Sequence, residues 1–328
     1  MKTLRRLLLT SFLVIALPIC NGWIVAQQPS ASAIRIVKLN LIVTDRSHHS
    51  LDDLTKDEIH VFEDKSPQAI SIFTKDERPV NYVVAVDRSG SLKNFLPPVL
   101  EAAKLLISGN KETDETMLIS FVSSEKINTL QDFTSDKSQL LDKLKNLRIE
   151  MGQSAVIDAI YIAFETAAKR KPADTSIRRA VVIISDGEDR ASYYNTDALI
   201  KLLRAKDVQV FVIGIVTQLD ESHGFIRGSP RQAAETLLSR VALETGGRVF
   251  FPQDVNQLTQ AIAEIIHDLH AQYIVGYETN DNANNERFRR IEVKIESPRR
   301  EKLIAITRPG YLINPPDLDG KQKKRPSN

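Results

Sequence analysis

The chain has 328 residues, of which 42% are hydrophobic and 26% charged, and its formal net charge is +2. That length admits two domains and a buried core. With Lys2, Arg5 and Arg6 set aside at the N-terminus the rest is close to neutral, which argues against nucleic acid as the partner, because such binding needs clustered Lys and Arg to neutralise phosphates. Cys20 is the only cysteine, so an intramolecular disulfide is excluded, and with it a small disulfide-stapled scaffold.

Residues 1–26 read as an export signal. Lys2, Arg5 and Arg6 make a positive start, Leu7 to Leu17 is a mostly apolar run, and Ala26 offers a small residue for cleavage, with Ala31-Ser32-Ala33 as a second site. Retained, the same stretch would be a membrane anchor, although Pro18, Asn21 and Gly22 weaken it. A lipoprotein signal at Cys20 fits less well, since Pro18 and Ile19 precede it where small residues are wanted. The expected location is the bacterial periplasm, envelope or exterior, with membrane contact only through a retained anchor.

Residues 27–32 form a polar linker. Residues 34–43 alternate like a strand, with one break in phase near Val37, and Asp45 to Ser50 is a turn. Thr55 and Glu58 have the spacing of a capping box on a short ordered piece. Residues 60–63 and 69–73 read as two short strands separated by a turn containing Pro67. From Val80 the rhythm changes. Tyr82 to Val86 is continuously apolar, as in a strand buried on both faces. Helices are expected over 98–108, 138–147, 156–168, 196–205, 231–245 and 255–270, and strands over 117–122, 180–184, 208–216 and 248–251. Alternating strands and helices imply βαβ units and a mostly parallel sheet. After His270 the β pattern returns over 273–277, 288–295 and 303–307, with an Asn-rich turn at 280–285, and 313–328 reads as a disordered polar tail. The expected fold is α/β: a doubly wound, mostly parallel, Rossmann-like sheet over 80–271. A small β-rich domain, built jointly by 33–75 and 272–312, flanks it.

Two strings leave buried strands as loops. Asp87-Arg88-Ser89-Gly90-Ser91 follows Tyr82 to Val86, and Ser185-Asp186-Gly187-Glu188-Asp189 follows Ala180 to Ile184. In a doubly wound sheet ligands bind beyond the carboxyl ends of strands. A third piece, Gly152-Gln153-Ser154, places a hydroxyl before the helix at Val156. Carboxylates and hydroxyls together suit a hard cation such as Mg2+, which wants oxygen ligands at about 2.0–2.1 Å.

Asp87-x-Ser89-x-Ser91, then Ser154, then Asp186 resembles the metal-ion-dependent adhesion site of von Willebrand factor type A (vWA) domains. The resemblance extends to a bacterial group of secreted vWA-related proteins. It is carried by Val43-Thr44-Asp45, Leu54-Thr55-Lys56-Asp57, Val61-Phe62-Glu63-Asp64, Thr245-Gly246-Gly247-Arg248, Gln272-Tyr273 to Gly276-Tyr277, and Gly310-Tyr311, all in order. It implies that Ser89 and Ser91 are direct ligands of Mg2+ (or Mn2+), that Ser154 fills a place usually held by Thr, and that Asp87 and Asp186 bind directly or through water. The last coordination position is then left for an Asp or Glu carboxylate of a partner protein. The implied function is a binding module rather than an enzyme.

Two alternatives stand beside it: a metal-assisted hydrolase, for which Glu188 is the one distinct candidate base, and a structural scaffold with a vestigial site. Asp87 and Asp186 could also be simple turn and cap residues. Glu188 and Asp189 read as solvated loop charges or as supports for the site. His267 and His270, three apart on a helix, and His48 and His49, in a turn, could hold a metal but lack a third Cys or His nearby. Gly-x-Ser-x-Gly and Walker patterns are missing from the sequence.

Overall fold

The computed structural model describes residues 33–172, 174–219, 229–281, 287–298 and 300–313. The expected signal segment, the linker and the tail beyond Ile313 lie outside the described residues. The chain opens with β1 (Ala33–Thr44), β2 (Ile59–Glu63), β3 (Ser66–Gln68) and β4 (Ile70–Asp76). A 3-10 turn, Lys56–Glu58, precedes β2. Glu58 Oε2 accepts the Thr55 backbone N–H at 2.8 Å, one half of the expected capping box. Pro67 sits inside β3 rather than in a turn; β3 is an edge strand, where a missing N–H is tolerated.

The α/β block follows: β5 (Val80–Asp87), α1 (Leu96–Ser108), β6 (Glu115–Phe121), β7 (Ile127–Thr134), α2 (Lys137–Lys145), α3 (Val156–Lys169), β8 (Arg178–Ser185), α4 (Thr196–Ala205), β9 (Gln209–Gly214), α5 (Pro230–Thr245), β10 (Val249–Phe250) and α6 (Val255–His270). Its six-stranded sheet has the order β10-β9-β8-β5-β6-β7. Neighbours are parallel from β10 to β6, and β7 is antiparallel to β6. Every residue of β5 is buried, because helices cover both faces. Alternate side chains go opposite ways: Tyr82, Val84 and Val86 join the core under α1 and α6, and Val83 and Ala85 join the core under α3 and α4. The expected doubly wound, mostly parallel sheet is present; β7 is a strand the sequence did not announce.

The last strands are β11 (Gln272–Asp281), β12 (Arg287–Ile295), β13 (Ile304–Ile306) and β14 (Gly310–Ile313). They combine with the first four into two four-stranded sheets, β13-β1-β11-β4 and β14-β12-β2-β3. β1 pairs antiparallel with β11, and β2 with β12. One apolar cluster, including Leu39, Leu41, Val61, Tyr273, Val275, Ile291 and Tyr311, lies between the two sheets. Inside it the buried Glu63 accepts from Tyr277 at 2.6 Å, Tyr311 at 3.0 Å and Thr279 at 2.9 Å. The terminal segments therefore form a small sandwich, as buried polar groups and apolar strand faces both require partners.

The sandwich is fastened to the α/β block. Ile42 of β1 faces the α1–α6 core. Arg248, before β10, donates to Asp268 Oδ2 of α6 at 2.8 Å and to the His48 carbonyl at 2.7 Å. Burial pushes the Asp268 carboxyl up, and Arg248 pulls against that.

Candidate metal centre

β5 and β8 lie side by side, with Val86 in register with Ile184. Both therefore release their loops at the same carboxyl edge. Asp87 ends β5 fully buried. Its Oδ1 accepts the Ser89 backbone N–H at 2.9 Å, which folds the loop back on the strand end. Its Oδ2 accepts the Ser185 hydroxyl at 2.7 Å and the Ser154 hydroxyl at 3.4 Å. Ser89 and Ser91 place their hydroxyl oxygens 2.9 Å apart; Ser89 is buried and Ser91 exposed. Asp186 is fully buried and its Oδ1 accepts the Glu188 N–H at 3.0 Å. Its Oδ2 is buried with no hydrogen-bond partner.

The structure thus brings all five expected residues, Asp87, Ser89, Ser91, Ser154 and Asp186, into one cluster. Burial raises the Asp87 carboxyl to about 7, and the negative charge of Asp186 adds to the rise, against the Ser185 and Ser89 hydrogen bonds. Burial also raises Asp186; the Ser91 hydroxyl works in the opposite direction. Two buried carboxylates that repel one another and keep an unpaired oxygen are poised for a cation. Among the described residues no group of three or more His, Cys, Asp or Glu could hold a metal. A metal here must use hydroxyls beside the two carboxylates, and such a donor set fits a hard divalent ion.

Several residues beyond the five support the cluster. Ser185 opens the second string, and its hydroxyl also accepts the Gly187 N–H at 3.0 Å. Asp189 accepts the Ile157 N–H at 3.0 Å and the Ser192 hydroxyl at 2.5 Å. The residue capping the start of α3 is Ala155, whose side chain has no acceptor, so a distant Asp supplies the cap. The Ser154 carbonyl accepts from Arg190 at 2.8 Å and from Ala191 at 3.1 Å. Asp158, buried in the first turn of α3, accepts the backbone N–H groups of Tyr193 at 2.9 Å and Tyr194 at 2.8 Å. The loop after β8 and the start of α3 are thereby one unit, and that unit positions Ser154. Of the two readings left open for Asp189, support of the site is what the geometry gives. Glu188 is ion-paired to Arg190 at 2.8 Å.

The histidines lie elsewhere. The His270 ring contacts the Ile266 carbonyl at 2.9 Å and Asp114 at 2.7 Å, and does not pair with His267. His49 is 3.7 Å from Asp45.

The fold and the cluster define the class: a doubly wound α/β domain with carboxylates and hydroxyls gathered at the carboxyl edge of its central strands. The von Willebrand factor type A domain family matches residues 81–264, more than half of the chain, and the protein belongs to that family. Among solved structures, the chain is similar to an aerotolerance-related membrane protein of Bacteroides fragilis, with 22% identity over 57% of this chain and 98% of that one and a TM-score of 0.44. It is also similar to BatB of Bacteroides thetaiotaomicron, with 18% identity over 58% and 98% and a TM-score of 0.45. A third is proximal thread matrix protein 1 from the mussel byssus, described with a zinc-occupied MIDAS motif, with 13% identity over 64% and 50% and a TM-score of 0.46. These likenesses concern the fold. A comparison with curated proteins finds no match.

Proposed function

We propose that this protein is a metal-ion-dependent binding module of adhesion type. Asp87, Ser89, Ser91, Ser154 and Asp186 would hold Mg2+ (or Mn2+), and the partner is a protein presenting an Asp or Glu carboxylate. The observation that carries this reading is the buried, unpartnered Oδ2 of Asp186 beside a second buried carboxylate, Asp87. A divalent ion bound there supplies a positive centre for an incoming carboxylate. The chain's own part is to fix the two carboxylates at strand ends, to tie Ser154 through its carbonyl, and to leave Ser91 open to solvent. We favour binding over turnover, since Glu188, the one candidate base, is engaged by Arg190. We also propose that the protein is exported to the bacterial envelope or exterior, on the pattern of residues 1–26. The division into 33–75, 80–271 and 272–312, with the first and last acting as one unit, is likewise our reading.

The test is capture of binding partners with and without chelator, alongside calorimetric titration with Mg2+. Binding should vanish in chelator and return with Mg2+ or Mn2+. Ca2+ should restore it less well, because it prefers more ligands at longer distances. Changing the critical partner acid to its amide should abolish binding. Partner affinity indifferent to chelator would sink the mechanism.

A further inference from the structure

β10 is the outer strand of the six-stranded sheet and pairs with β9. Among the described residues no strand lies on its other side. Val249 is in register with Val212, and the Val212 N–H donates to the Arg248 carbonyl at 2.9 Å. In a parallel ladder successive residues turn their backbone groups to opposite sides. The Arg248 carbonyl faces β9, so the N–H and carbonyl of Val249 face outward, as an open sheet edge.

Two cavities flank this edge, one on each face of the sheet. The first, of about 280 Å3, lies against α6 and is lined by Gln260, Ala261 and Ala263. The second, of about 400 Å3, lies against α5 and is lined by Ala242, Leu243, Val249 and Ile306. Phe250, Phe251 and His48 line both. The helices cover opposite faces, since Leu258 and Ile262 of α6 join one core of the block and Leu238 and Val241 of α5 join the other. The walls are apolar and open to solvent: Leu243 is 63% exposed, and Val249, Phe250 and Phe251 are half-buried. The acid and the base that line the cavities, Glu264 and Arg248, bond each other at 3.2 Å. Uncharged side chains therefore enter at no cost in unpaired charge.

We propose that this edge takes up an extended segment of a partner protein as an added strand, with two adjacent apolar residues, one in each cavity. An outward-facing strand backbone is matched by another extended backbone, and successive side chains of such a strand go to opposite faces of the sheet. Cavities on both faces of one edge have that period. The Arg248 guanidinium donates to the His48 carbonyl at 2.7 Å, which holds the 45–50 turn at the start of β10 and keeps the added strand short, beside Val249–Phe251. Residues 314–328 have Leu318 as their one aliphatic side chain beside three prolines, so they do not supply an adjacent apolar pair. The site stands apart from the five metal-centre residues and does not depend on an ion.

The experiment is selection of a random peptide display library on the full chain in chelator, repeated on Leu243→Glu and Ala263→Glu. Both positions are exposed, so both variants should melt as the parent does. The parent should enrich peptides with two adjacent apolar residues and no required acid. Each variant should lose the apolar preference at one of the two positions and bind the best parent peptide about tenfold more weakly, the scale of one apolar side chain shut out. Methylating that peptide's backbone nitrogens one at a time should weaken binding about tenfold at alternate positions, the mark of a strand. Uniform sensitivity to methylation, or the same peptides from all three proteins, overturns the proposal. A parent that sizes as a dimer, and variants that size as monomers, would assign the edge to a second copy of this chain and overturn it too. Enrichment that needs Mg2+ and an acid would overturn it while leaving the metal-dependent reading in place.

Discussion

Replacing Asp186 with Asn should have opposite effects on the metal-free and metal-loaded protein. Asp87 and Asp186 are both buried, and the charge of Asp186 is the second cause, after burial, of the Asp87 rise from 3.8 to about 7. A rise of that size corresponds to roughly 4 kcal/mol of penalty on ionised Asp87, at about 1.4 kcal/mol per unit. The sign follows from linkage: a raised carboxyl costs nothing below the unfolded value near 4, and the penalty grows as pH climbs to about 7. Burial contributes the larger share, so removing the Asp186 charge should recover about 1–2 kcal/mol at pH 8. Asn keeps the Oδ1 acceptor that holds the Glu188 N–H. In chelator, Asp186→Asn should therefore melt above the parent by about 2–8 °C. In Mg2+ at a hundred times its Kd, the parent should gain about 2.7 kcal/mol, or roughly 5–10 °C, and the variant almost nothing. The assay is thermal unfolding followed by circular dichroism at pH 8, with chelator or Mg2+. A variant that melts below the parent in chelator would show that Asp186 is not an electrostatic burden. A variant that keeps the Mg2+ shift would show that it is not a ligand.

Three further outcomes can be checked directly. Asp189→Ala should weaken Mg2+ binding by about fivefold in calorimetry, because the cap on Ile157 and the loop that holds Ser154 are loosened, at roughly the 1 kcal/mol of a lost helix cap. Asp114 accepts from Val80 at 2.9 Å, Lys111 at 2.8 Å and the His270 ring at 2.7 Å, and these contacts outweigh burial and lower its carboxyl. A lowered carboxyl stabilises above its unfolded value and loses that contribution as pH falls through the folded value. Asp114→Asn should thus cost about 1–3 kcal/mol in urea unfolding at pH 7 and much less at pH 3. Gly246 ends α5 at φ 69°, and an added Cβ would lie 2.4 Å from the Arg308 backbone nitrogen. Gly246→Ala should lower the melting temperature by at least several degrees, through clash and backbone strain of about 1–3 kcal/mol; an unchanged melt would contradict the close approach of the sandwich to α5.

Much of the α/β block was legible in the sequence because its signals are local. Tyr82 to Val86 is apolar at every position, which only a strand covered on both faces explains. α4 and α6 begin where Asn195 and Asp254 accept from N–H groups three residues on, so their bounds could be read directly. The strings at Asp87 and Asp186 also announced the cluster, since each follows a buried strand at its carboxyl end. β7 gave no such signal. It is an edge strand with mixed exposure over Ile127–Thr134, and an edge strand carries no clean alternation. Tertiary structure alone decided that the terminal strands form two sheets rather than one. It alone set Asp189 on the start of α3, 32 residues away in sequence, and Arg248 on the His48 carbonyl, 200 residues away. Local pattern reports which face of an element must be buried. It carries no record of which distant element does the burying, or of which carboxylate meets a given orphaned N–H, because those pairings exist only after the chain has closed on a common core.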